Sequence, residues 1–202
     1  MVKLKYQDKG RILMTTANKL TLLRVFMIPV MVLLMYMKSL ENPIGFFNMS
    51  IAQFLIALLF IIASLTDFLD GYIARKYHQI TTFGKFLDPI ADKVLVMVAL
   101  LYLMMIMPGR VPLWAVMIVI IREFMVTGVR LLAIEKGHVI AASIYGKIKT
   151  ATTMVALIIL LFNDFGLSVW IGNILFYLAI FFTLMSGIDY LFKNKKIILE
   201  SI

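Results

Sequence analysis

Long apolar runs recur from one end of this chain to the other, and that recurrence limits its possible folds more than any other feature. Crossing a bilayer as a helix takes about 20 apolar residues. Runs of that kind can be read near 22–37, 50–74, 86–107, 112–134, 149–163 and 169–192, the first and fifth being short or interrupted. "MPGRVP" at 107–112 and "NDFG" at 163–166 read as turns between them. Hydrophobic residues make up 62% of the 202 positions, well above the share in a soluble domain. Six crossings use roughly 120 positions, which leaves short connections and no room for a sizeable soluble domain. The expected fold is all-α and polytopic. It comprises an N-terminal segment at 1–21, a six-helix membrane domain at 22–192 and a basic tail at 193–202. The N-terminal segment is too polar and basic for a cleavable signal. It is expected to lie in the interface as an amphipathic helix, with Leu4, Ile12 and Leu13 dipping into lipid.

Charge sets the orientation. Lys and Arg gather in the N-terminal segment, the second and fourth connections and the tail; the odd connections hold only Lys38 and Arg110. The positive-inside rule then puts both termini and the even connections in the cytoplasm. The same asymmetry accounts for the net charge of +9 through contact with anionic headgroups, with no need of nucleic acid. The chain has no cysteine, which excludes disulfides and thiolate metal sites.

Against this apolar background, "SLTDFLDGYIARKYHQITTFGKFLDPIAD" (64–92) carries Asp67, Asp70, Asp88 and Asp92, four of the eleven acidic residues. The first two fall at the cytoplasmic end of the second span and the others at the start of the third, so a short connection brings them face to face. Asp67 and Asp70 are spaced i,i+3; Gly84, Asp88 and Asp92 are spaced i,i+4,i+8, each set on one helical face. A lone aspartate near a helix end can cap or pair with a lysine, as Asp189 is expected to do with Lys193. Four together do not fit that account. Each costs up to roughly 2.5–3.5 kcal/mol in the membrane, and they repel one another. Arg75, Lys76 and Lys85 stand at the rim, so the cluster is expected to draw positive charge from outside. Oxygen donors without His or Cys favour hard ions, Mg²⁺ or Mn²⁺. Four carboxylates suffice for two ions clamping a phosphoryl group; a proton relay or Na⁺ site would use the same groups. Gly71 and Gly84 serve helix packing or make room for a large ligand. Arg75 offers a forked cation for phosphate. His78 and His138 read as solvated loop residues.

The pattern D-x2-D-G-x2-A-R-x8-G-x3-D-x3-D, from Asp67 to Asp92, resembles the signature of the CDP-alcohol phosphotransferase family, with all eight positions matched. The resemblance implies a six-helix enzyme of the bacterial cytoplasmic membrane, usually a homodimer. Such an enzyme moves a phosphatidyl or related group from a CDP-linked donor to an alcohol and releases CMP. It implies that Asp67, Asp70, Asp88 and Asp92 hold two divalent ions, with Asp92 also the base. It places Asn18, Thr21, Arg24, Thr66, Gly71, Ala74, Arg75 and Gly84 beside the cytidine diphosphate. "NKLTLLRVFMIPV" (18–30), "REFMVTGVR" (122–130) and "GHVIAASIYGKIKT" (137–150) are most similar to the branch that transfers a phosphatidyl group from CDP-diacylglycerol to glycerol 3-phosphate.

An acceptor that is a small dianion needs fixed cations near the metals. Arg122 and Arg130 share one face of the fourth span, and Lys147 and Lys149 open the fifth, so these four are the candidate acceptor-phosphate residues. The plainer alternatives are that Arg122 pairs with a buried carboxylate, Glu123 from a neighbouring helix or Asp189, and that the lysines are surface charge. A different acceptor, such as inositol phosphate, serine or a second phosphatidylglycerol, stays open. So does a cation-coupled transporter, against which stands the clustering of carboxylates at one face rather than the midplane.

Overall fold

The computed structural model describes residues 16–45, 47–76, 82–137, 140 and 143–199. Six long helices follow one another: α1 (Thr16–Met35), α2 (Ile51–Lys76), α3 (Thr82–Ile106), α4 (Leu113–Glu135), α5 (Ile144–Leu161) and α6 (Val169–Lys193). A short α7 (Lys195–Leu199) ends the described chain, and a two-stranded antiparallel ribbon, Pro43–Ile44 with Met49–Ser50, joins α1 to α2. The amphipathic segment expected before Thr16, with Leu4, Ile12 and Leu13, lies outside the described residues, as do His78 and His138.

Five of the helices, α1, α2, α3, α5 and α6, are long and apolar enough to cross a membrane. α4 has the length, but Arg122, Glu123 and Arg130 interrupt its apolar character. These are the charges that line a cavity described below.

Three helices start earlier than expected. α1 starts at Thr16 rather than 22, so 16–21 are continuous with the first long helix. α5 starts at Ile144 rather than 149, capped by the Ser143 hydroxyl, which accepts from the Gly146 N–H at 3.1 Å. In both cases polar residues dilute the hydropathy of the first turns: Asn18, Lys19 and Thr21 in α1, of which Thr21 is buried, and Gly146 and Lys147 in α5, which line a cavity. α3 begins at Thr82 rather than 86, which leaves Pro89 inside the helix. Proline there costs one backbone hydrogen bond, yet Asp88 and Asp92 stay on one continuous rod.

α1 packs on α2 and α3, α5 runs along α6, and α4 packs on α6. Their shared core includes Met31, Ile56, Phe60, Leu95, Leu103, Leu157 and Leu160, all fully buried. Ala57, Ala63, Ala99 and Ala115 are buried between the rods, where small side chains let helix backbones approach.

The end of the bundle away from the aspartates is locked by polar contacts among the three odd connections. Arg110 pairs with the buried Asp164 at 2.6 Å and donates to Asn173 Oδ1 at 2.7 Å and the Val169 carbonyl at 3.1 Å. Asp164 also accepts from the Gly172 N–H at 2.8 Å, and Asn163 donates to the Phe47 carbonyl at 2.9 Å. Arg110, one of the two cations in those connections, is thus spent on an internal carboxylate. α6 must come close for this: a Cβ on Gly172 would overlap Asp164 Oδ1 and lie 2.7 Å from Arg110 Nη2. Gly172→Ala is expected to lower stability by about 1–3 kcal/mol, read as a drop in thermal midpoint. The geometry at the aspartate end should persist, because the change lies at the far end of the bundle.

Candidate active site

The signature aspartates reach their places by two adjacent helices. α2 delivers Asp67 and Asp70 near its C-terminal end, and α3 delivers Asp88 and Asp92 within its first three turns. Asp67 and Asp88 both repel the charge on Asp70, and Asp67 repels Asp92, so the four share one electrostatic field. Among the described residues no three acidic or histidine side chains are grouped tightly enough to hold a metal ion. The field therefore exists without a closed cage.

The cation expected from outside has a counterpart inside the protein. Arg24, from α1, is fully buried and reaches across to α2, with Nη1 2.7 Å from Asp67 Oδ1 and Nη2 2.6 Å from Asp70 Oδ2. Its Nε donates to the Ala63 carbonyl at 3.3 Å. Thr21, one turn earlier and also buried, donates to Asp88 Oδ1 at 2.8 Å, with Asp70 Oδ2 3.4 Å away. Arg75, Lys76 and Lys85 are the cations read near the cluster; the first helix adds another, inserted between two of the carboxylates. A contact between residues more than forty positions apart leaves no trace in local spacing. Among the described residues, this guanidinium pairs with two of the four carboxylates.

The remaining nucleotide candidates divide. Thr66 is buried and turns back to the Ala63 carbonyl at 2.7 Å; Gly84 is buried, while Asn18 and Gly71 are half-buried. Ala74 and Arg75 lie on α2, but their side chains lie outside the described residues.

The basic candidates do converge. A cavity of about 570 Å³ is lined by Arg122, Arg130, Lys147 and Lys149 together with Asp92, and Asp92 is the one signature aspartate that lines it. α3, α4, α5 and α6 form its walls. Arg122 pairs with Glu123 of its own helix at 2.9 Å, not with a carboxylate from a neighbour or with Asp189. Glu123 is shared, since Lys149 pairs with the same Oε1. This buried carboxylate holds two cations side by side at the cavity wall. Asp189 pairs with Lys193 at 2.8 Å, as its spacing implied. Gly187 makes room for the Arg122 stem, since a Cβ there would stand 3.2 Å from Arg122 Cγ.

Several cavity residues were not singled out beforehand. Lys93, beside Asp92, lines the cavity and donates to Thr127, whose hydroxyl in turn donates to the Glu123 carbonyl at 2.6 Å. A lysine inside an apolar span was itself a signal, because such charges are rarely idle. Thr153 and Tyr190 carried no such mark, being ordinary residues of apolar helices.

A family model for CDP-alcohol phosphatidyltransferases matches residues 14–185, a span that contains the aspartates and all the basic cavity residues. The chain is 42% identical over 184 residues to a Bacillus subtilis (strain 168) CDP-diacylglycerol–glycerol-3-phosphate 3-phosphatidyltransferase, covering 88% of this chain and 93% of that protein. It is 41% identical to the protein of the same name from Rickettsia typhi, over 89% of this chain and 96% of the relative. The Shigella flexneri counterpart is 36% identical over 90% of this chain and 95% of its own length. With its signature aspartates on facing helices and a match from residue 14 to 185, the chain belongs to the CDP-alcohol phosphatidyltransferase family and is a membrane-bound enzyme of that class.

Proposed function

We propose that this protein transfers a phosphatidyl group from CDP-diacylglycerol to sn-glycerol 3-phosphate, yielding phosphatidylglycerophosphate and CMP. The observation that carries the reading is the single cavity that places Asp92 with Arg122, Arg130, Lys147 and Lys149. A base beside four fixed cations suits an acceptor that brings both a hydroxyl and a phosphate. An uncharged or zwitterionic acceptor would give little reason to set arginine inside a span.

The acceptor phosphate is held by the basic side chains, with Glu123 keeping Arg122 and Lys149 in position. The acceptor's primary hydroxyl then points toward Asp92. As its oxygen attacks the lipid-side phosphorus, its proton passes to the Asp92 carboxylate. The bond from that phosphorus to the CMP oxygen breaks, and CMP leaves with the electron pair. No covalent enzyme intermediate is required. Asn18, Thr21, Arg24, Thr66, Gly71, Ala74, Arg75 and Gly84 form the cytidine-diphosphate side of the site. The all-oxygen chemistry of Asp67, Asp70, Asp88 and Asp92 suits two hard divalent ions, Mg²⁺ or Mn²⁺, which these four would hold by closing further than they do on their own. When bound, the ions supply charge neutralisation for the diphosphate and the departing CMP. All six long helices cross the membrane in this reading, with α4 turning its charges to the cavity. The termini and the aspartate end face the cytoplasm, where the water-soluble acceptor and CMP exchange, and the enzyme works as a homodimer.

The test offers purified protein CDP-diacylglycerol with glycerol 3-phosphate, inositol phosphate and serine in competition, following CMP and the lipid product. Phosphatidylglycerophosphate is the expected product. A different lipid as the main product reassigns the acceptor, and absence of CMP release with every acceptor removes the transferase reading.

A further inference from the structure

The cavity that joins Asp92 to the basic side chains also contains two hydroxyls that no described residue satisfies. Thr153 on α5 and Tyr190 on α6 both line it. They are 5% and 4% exposed, and neither hydroxyl has a hydrogen-bond partner among the described residues. Buried hydroxyls are nearly always bonded, because leaving one dry and unpaired is costly. The contrast within α5 is direct. Thr150 and Thr152 turn their hydroxyls back to the Gly146 and Ile148 carbonyls at 3.0 and 2.9 Å, whereas Thr153 makes no such bond. Thr153 stands one helical turn beyond Lys149, and Tyr190 one turn beyond Gly187, over which Arg122 lies. The free hydroxyls therefore adjoin the cations proposed to hold the acceptor phosphate.

We propose that Tyr190 and Thr153 read the non-reacting secondary hydroxyl of the phosphorylated acceptor, so that the site selects a polyol phosphate over an alkanol phosphate of equal charge and length. This rests on the glycerol 3-phosphate reading above and deepens it. A secondary hydroxyl is both donor and acceptor, so it accepts from the Tyr190 O–H while donating to Thr153 Oγ1. A site built to bond a substrate hydroxyl rejects the analogue without it, because its own buried groups are then left unpaired.

The experiment measures CMP release by the full chain in detergent with CDP-diacylglycerol and Mg²⁺. It compares sn-glycerol 3-phosphate with 3-hydroxypropyl phosphate, which keeps the phosphate and the primary hydroxyl but lacks the secondary one. The wild type is expected to favour glycerol 3-phosphate in kcat/KM by at least about 100-fold. Tyr190→Phe and Thr153→Val, each nearly isosteric, should cut that preference by about tenfold or more, through slower use of glycerol 3-phosphate. Thr153→Ser, which keeps the hydroxyl, should retain it. Either truncating variant decides the matter alone if the other does not fold. A preference unchanged to within about twofold in the folded variants overturns the assignment, and so does a wild type that does not discriminate. A wild type that releases no CMP with glycerol 3-phosphate overturns the underlying function and this inference together; release without preference overturns this inference only.

Discussion

Asp92→Asn is expected to release CMP about 10³-fold more slowly than the wild type, the scale of loss that follows removal of a general base, while CDP-diacylglycerol binding stays measurable. Asparagine matches the shape of aspartate, so the helix and the cavity wall survive, but its amide cannot take a proton from the attacking hydroxyl. Asp92 is chosen over its neighbours on geometry. Asp70 is buried against Arg24, Asp88 accepts from Thr21, and only Asp92 among the four opens on the cavity with the acceptor cations. Turnover should be measured by CMP release and donor binding by equilibrium titration. Because Asp92 also belongs to the proposed ion-binding set, the variant should be assayed again at saturating Mg²⁺. Near-normal turnover rejects the base assignment, and a defect cured by excess metal leaves Asp92 as an ion ligand alone.

The second large effect concerns the guanidinium inside the carboxylate cluster. In EDTA, Arg24→Met should lose about 3–5 kcal/mol of stability, the cost typical of leaving a buried charge without its partner. Methionine preserves much of the apolar volume, so the loss is chiefly electrostatic. Asp70, 4% exposed, would carry most of it; the Asp67 side chain, 39% exposed, can turn to water. Mg²⁺ should then stabilise the variant more than the wild type, since an added cation answers charge that Arg24 no longer offsets. Thermal midpoints with and without Mg²⁺ read both effects. Adding Asp70→Asn to Arg24→Met should restore part of the loss, because the two residues act on one interaction. A variant as stable as the wild type in EDTA would show that the buried pair contributes nothing to the fold. Equal stabilisation of both by Mg²⁺ would show that ion and guanidinium do not share these carboxylates.

The two effects differ in how far they were legible from residue order. Asp92 belongs to a local pattern: helical spacing puts it on one face with Gly84 and Asp88, and a short connection sets that face against Asp67 and Asp70. Its place in the cluster follows from residues within 26 positions, and the resemblance of that pattern to the family signature is what suggests it as the base. Arg24 reaches the same aspartates from α1, and only the packing of α1 on α2 and α3 brings it there. The helix boundaries divide in the same way. Apolar runs marked the long rods well, but the first turns of α1, α3 and α5 were missed, since Asn18, Thr21, Gly84, Lys85, Gly146 and Lys147 break the apolar run there.

What residue order alone determined is the number of long rods, the face each signature aspartate occupies and the family, because 3.6-residue periodicity, membrane thickness and a short connection are all local constraints. Tertiary structure decided which charges meet. It set Arg24 between Asp67 and Asp70, drew Arg122 and Lys149 onto one Glu123, and gathered Asp92, the cations and two hydroxyls without a partner among the described residues around one cavity. The physical reason is that a buried charge or hydroxyl is satisfied through space, by whatever the packed helices bring within about 3 Å of it. Distance along the chain carries no information about that.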